Sequence, residues 1–70
     1  MINAAIIGLG WWGTHIVNTL QGKSNKIRFL RAVDIEPDTK LEFARSKGIQ
    51  ITADFADVLN NPALEAIVLA

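Results

Sequence analysis

Cysteine is missing from this chain, and histidine and methionine each occur once. Without cysteine there is no disulfide framework, no thiolate zinc site and no cysteine nucleophile. A lone histidine cannot supply a metal cluster. An excess of one charge is missing too: seven basic residues balance seven acidic ones. That removes the electrostatic reason to expect nucleic acid or an anionic membrane as partner. Long apolar runs are also lacking. The longest, Ala4 to Gly13, has ten residues, against the ~18 or more of a membrane-spanning helix. Met1-Ile2-Asn3 places no basic residue before the apolar stretch, and no small-residue cleavage site follows, so the start does not read as a secretory signal. The expectation is a soluble cytoplasmic protein.

What is present points to a globular fold. Apolar residues make up 50% of the chain and charged residues 20%, a balance unlike that of disordered segments. At 70 residues the chain is about half of a typical domain of ~100–200. Its core is therefore small, because so short a chain buries only ~60% of its unfolded surface.

Ile2 to Ile7 are nearly all apolar without polar alternation, as in a strand buried on both faces of a parallel sheet. After the glycines that follow, Gly13, Ile16, Val17 and Leu20 recur at helical spacing, and this helix is expected to end around Gly22. Ile27 to Ile35 form a second apolar run. Pro37 then opens a helix whose inner face is expected to hold Leu41, Phe43 and Ala44, with Gly48 closing it. Ile49 to Thr52 suffice for an edge strand. Asp54 can cap a brief helix through Leu59, and Ala66 to Ala70 read as a last apolar strand. The order β-α-β-α-β-α-β predicts an α/β fold: a partial, doubly wound, Rossmann-type parallel sheet with strand order 3-2-1-4. Right-handed crossovers put the first two helices on one face and the short third on the other. Ligands of such sheets bind beyond the carboxyl ends of the strands, where the winding reverses.

The chemistry is concentrated in Gly8-Leu9-Gly10-Trp11-Trp12-Gly13, a G-x-G-x-x-G. Alone this pattern is weak, since a tight strand-to-helix turn also satisfies it. Here it follows a strand and opens a helix, and Asp34 stands 21 residues after Gly13 at the end of the next strand. Together these meet the dinucleotide-binding fingerprint. Gly8 serves the tight turn, Gly10 the close approach of backbone to pyrophosphate, and Gly13 the packing of helix on strand. Backbone N–H groups near Trp11 and Trp12 point at the phosphates. Asp34 accepts hydrogen bonds from the adenosine ribose, and its carboxylate repels a 2′-phosphate. NAD is preferred to NADP on that ground, with Arg31 and Lys40 the residues able to swing in. Flavin and methyl-donor enzymes fit less well, since they tend to carry glutamate at the Asp34 position or an acid just before the glycines.

Other residues have plainer roles. Trp12, four residues before Ile16, is expected to pack inward. Trp11 either walls the nicotinamide or substrate cleft or packs on the surface. His15 is expected to be solvated, Arg28 and Arg31 to reach the edges of their strand, and Asp54 and Asp57 to serve a helix start. None is assigned to catalysis or to a metal.

The runs A-I-I-G-L-G-W-W-G, R-A-V-D-I-E-P, F-A-R-S-K-G-I and T-A-D-F-A-D-V-L-N-N-P-A-L-E-A-I-V-L-A resemble the start of a Gfo/Idh/MocA-type oxidoreductase, the family of glucose–fructose oxidoreductase and inositol dehydrogenase. The resemblance covers essentially the whole chain. It implies an NAD(P)-dependent dehydrogenase acting on a secondary alcohol of a sugar, cyclitol or related polyol, in a homo-oligomer. Gly8, Gly10, Gly13 and Asp34 match the family's cofactor positions. Leu9, Trp11 and Trp12 match its backbone contacts, and Ile35 lies beside the adenosine. The family follows its last strand here with Thr-Pro, and further on with a Glu-Lys-Pro whose lysine serves the hydride-transfer site. Its proton-transfer groups sit in a second domain. Residues 1–70 are accordingly expected to be the amino-terminal part of a dinucleotide-binding Rossmann domain, with catalysis and the substrate domain outside them. The alternative is a non-catalytic NAD-sensing module like the regulatory domains of ion channels.

Overall fold

Ala4, Ala5 and Ile6 are completely buried although consecutive strand residues face opposite ways. That requires a strand covered on both faces, which is the position of β1 (Ile2–Ile7) in a computed structural model describing residues 1–70. The chain continues through α1 (Trp11–Leu20), β2 (Ile27–Val33), α2 (Pro37–Ser46), β3 (Gln50–Thr52), α3 (Phe55–Leu59) and β4 (Ala66–Leu69). The four strands form one sheet in the order β3-β2-β1-β4. All neighbours are parallel. The topology is the Rossmann-type order expected from the alternation of elements. No helix is long and apolar enough to cross a membrane.

Two apolar layers sandwich the sheet. On one face Ala4, Ile6, Phe29 and Ala32 meet Leu9, Val17 of α1, Ala44 of α2 and Ile49. On the other, Ala5 and Val33 meet Val58 of α3, with Ile7 and Leu64 packed alongside. The first two helices therefore share a face and α3 takes the opposite one, as right-handed crossovers require. Asp54 caps α3: its Oδ1 accepts the Ala56 N–H at 2.9 Å.

Three local features depart from the sequence pattern. β2 ends at Val33 rather than Ile35: Asp34 keeps only its N–H bond to the Thr52 carbonyl of β3, at 3.1 Å, and Ile35 beyond it is 92% exposed. Leu41 is exposed, leaving Ala44 and the partly buried Phe43 to seat α2. The reason is its place at the sheet margin, where it lines an open groove with Ile49 and Ile51 beside the three-residue edge strand β3. Finally, the β1–β2 register shifts, since Ala4 pairs with Phe29 and Ala5 with Arg31. Leu30 is thus the extra residue of a bulge.

Gln21, just past α1, completes the ladder beside that bulge. β3 pairs with β2 only from Arg31 onward, so Phe29 has no β3 residue opposite it. The Gln21 Oε1 accepts the Phe29 N–H at 2.9 Å, while its Nε2 donates to the Phe29 carbonyl at 2.9 Å and to the Lys47 carbonyl at 3.0 Å. One side-chain amide joins the ends of α1 and α2 to β2.

Candidate dinucleotide site

β1 must turn into α1 within three residues, and the backbone shows how. Gly8 adopts φ +94°, a region other residues rarely enter, and its N–H donates to the Val33 carbonyl at 2.7 Å. Gly13 lies where α1 crosses over this turn: a Cβ there would overlap the Gly8 carbonyl oxygen. Gly10 differs from both. Its φ of −71° suits any residue, and a Cβ added to it would meet nothing within 4 Å. The space above Gly10 is open, and no fold constraint demands glycine there.

Gly10 is also the N-cap of α1, and no side chain caps the helix. The first intrahelical bond runs from the Thr14 N–H to the Gly10 carbonyl at 2.9 Å. The N–H groups of Trp11, Trp12 and Gly13 therefore have no acceptor in the chain, and the helix dipole adds positive potential where they converge. The Leu9 side chain is buried, so this residue offers the site only its backbone. Thr14 Oγ1 donates to the Leu9 carbonyl at 3.1 Å and braces the loop.

Asp34 follows β2 and faces the same loop. Its Oδ2 accepts the Leu9 N–H and its Oδ1 the Glu36 N–H, both at 2.9 Å. The Glu36 N–H bond above all, then the Leu9 N–H and the Lys40 ammonium, hold the carboxyl below the usual carboxylate range against the opposing effect of partial burial. Each carboxylate oxygen keeps acceptor capacity beyond its one backbone bond. The glycine loop and Asp34, distant in sequence, are thus one hydrogen-bonded unit, with Ile35 exposed beside it.

The aromatic residues lie outside. Trp12 is 63% exposed, contrary to the inward packing expected of it. The sheet-facing line of α1 is set by Gly13 and Val17, and Trp12 is turned about a third of the way round from it. Trp11 is exposed as well and stacks on His15, with ring centroids 5.7 Å apart and planes 3° apart. Trp12 meets Trp11 edge-on at 4.9 Å. His15 is solvated as expected. Arg28 bonds Asn3 Oδ1 through Nη2 at 2.9 Å, at the opposite end of the strands. Sequence reasoning missed Leu9's tie to Asp34, which no spacing rule reveals. No group of histidine, aspartate and glutamate here could hold a metal ion.

Two solved structures share this fold. One, from Desulfitobacterium hafniense and assigned as an NADPH-dependent oxidoreductase, superposes with a TM-score of 0.86 at 20% identity. The other, the WlbA dehydrogenase from Chromobacterium violaceum in complex with NADH and UDP-GlcNAcA, gives 0.82 at 19% identity. Each comparison covers 99% of this chain and 20% of the other, so the chain spans about a fifth of the length of the structures it matches. No curated protein matches the sequence. The family model that does match describes an oxidoreductase family with an NAD-binding Rossmann fold. That match runs over residues 2–70, and the chain belongs to this Gfo/Idh/MocA family.

Proposed function

We propose that Gly8 to Gly13, Asp34 and Ile35 bind NAD in an oxidoreductase that moves a hydride between the nicotinamide and a secondary alcohol of a sugar, cyclitol or related polyol. One observation carries the reading: the open space over Gly10, the three free N–H groups of α1 and the Asp34 carboxylate all lie at the carboxyl end of β1. An extended dinucleotide needs that combination.

In this reading the N–H groups of Trp11, Trp12 and Gly13 donate to the pyrophosphate. Gly10 lets the phosphates approach the backbone. Asp34, already oriented by Leu9 and Glu36, accepts from the adenosine ribose hydroxyls, while Leu9 and Ile35 flank that half of the cofactor. The bound cofactor supplies the hydride chemistry, and these residues hold and orient it. The Asp34 charge favours a free 2′-hydroxyl over a 2′-phosphate, and hence NAD over NADP. A sugar-like substrate is supported by the family resemblance and by the sugar nucleotide named with NADH in the Chromobacterium structure. We assign proton transfer and substrate contacts to a further domain of the whole protein, and its subunit contacts to a homo-oligomer.

Replacing Asp34 by alanine tests the assignment. NAD binding should weaken, and the preference over NADP should narrow. A variant with unchanged selectivity in calorimetric titrations would contradict the role given to Asp34.

A further inference from the structure

β3 is an outer strand of the sheet, and the chain leaves its free edge unprotected. Gln50-Ile51-Thr52 carries neither a proline nor a charge, the usual devices that keep an edge from pairing. The Thr52 carbonyl is turned to β2, where it accepts the Asp34 N–H at 3.1 Å. Backbone groups alternate between the two edges of a strand, so Ile51 turns its N–H and its carbonyl outward. Beside this edge lies the groove of about 450 Å³ in which Leu41 and Arg45 of α2 meet Ile49 and Ile51. Asp38 precedes Leu41 by three residues and Arg45 follows it by four, so the three share one side of α2. All three are exposed. Asp38 and Arg45 stand about 10 Å apart along the axis, too far to pair with each other.

We propose that β3 and α2 are the contact surface for a second copy of this chain, met across a two-fold axis. Such an axis makes like elements antiparallel. β3 then pairs with its counterpart about Ile51, whose outward N–H and carbonyl exchange two hydrogen bonds with the partner's Ile51. On α2 the same operation sets Asp38 against the partner's Arg45, and Arg45 against the partner's Asp38. The midpoint of that charge pattern falls beside Leu41, and Leu41 and Ile51 line one groove, so a single axis serves both elements and closes the apolar groove at its centre. The charges are complementary to themselves only in this antiparallel arrangement. A ten-residue helix and a three-residue strand make a small footprint against the ~800 Å² per partner of a standard interface, so the dimer is weak and concentration-dependent. The contact gives the homo-oligomer proposed above a location, and it is independent of the cofactor assignment.

Charge reversal tests the contact. Sedimentation velocity from about 10 μM to about 1 mM brackets an interface of this size, and the unmodified protein should pass from monomer to dimer across that range. Asp38→Arg and Arg45→Asp each set like charges against each other twice, and each should weaken the dimer by at least about tenfold. An equimolar mixture of the two variants restores both pairs and should recover the dimer, as should the double variant Asp38→Arg/Arg45→Asp. Circular dichroism checks that each variant is folded. Hydrogen exchange reads the edge without any substitution: the Ile51 amide should exchange more slowly in the concentrated protein than in the dilute one. A dimer indifferent to the single reversals, or an Ile51 amide indifferent to concentration, overturns this contact and leaves the homo-oligomer to another surface. A monomer at every concentration overturns both.

Discussion

Asp34 joins two backbone stretches through one carboxylate, the glycine loop at Leu9 and the turn at Glu36. An asparagine there keeps one acceptor oxygen and loses the other, so Asp34→Asn should cost about 1 kcal/mol in urea unfolding at neutral pH. The pH dependence follows from the lowered pKa. A carboxyl depressed in the folded state stabilises fully above its ordinary pKa, and that stability is lost as the pH falls through the folded value. The unmodified protein should lose this increment on acidification, and the asparagine variant should not. Two glycines make a second contrast. Gly13→Ala forces a Cβ into the Gly8 carbonyl and should destabilise by about 3 kcal/mol in the same assay. Gly10→Ala meets open space and should fold normally. Gly8 and Gly13 were legible because each answers to backbone geometry within a few residues. The outward turn of Trp12 was not, since it depends on how α1 is rotated over the sheet.

At the scale of elements, short-range chemistry marked the helices and strands well. Pro37 starts α2, and Asp54 caps α3 as its position before an apolar turn implied. The bulge at Leu30 and the tie made by Gln21 were invisible. A bulge leaves an apolar run looking continuous, and Gln21 works through partners on β2 and after α2. Removing the Gln21 amide strands the Phe29 N–H and carbonyl with no β3 residue opposite. Gln21→Ala should therefore cost about 2 kcal/mol, with hydrogen exchange rising first at Phe29 and in the last turn of α1. An unchanged denaturation midpoint would show the tie to be dispensable.

Across the whole molecule, the order of elements and the handedness of crossovers sufficed to place every strand and to put α3 opposite α1 and α2. That inference works because buried parallel strands leave few ways to wind a chain of this length. How much of the edge each helix covers was not legible, as Leu41 and the 77% exposed Leu69 show. A small core also makes ligand linkage conspicuous. At a hundredfold excess over its Kd, NAD should add about 2.7 kcal/mol of stability, raising the melting temperature by about 18 °C for a domain of this size.

Trp11 and Trp12 are the only tryptophans and begin the helix whose N–H groups face the proposed pyrophosphate position, so intrinsic fluorescence reads the site directly. The decisive measurement is an NAD titration of the unmodified protein and of Gly10→Val, with matched far-ultraviolet circular dichroism. The account predicts a saturable change for the unmodified protein and none for Gly10→Val, because its side chain fills the phosphate space while the fold survives. A saturable change of equal affinity in the folded Gly10→Val variant, or no change in the unmodified protein, would contradict it.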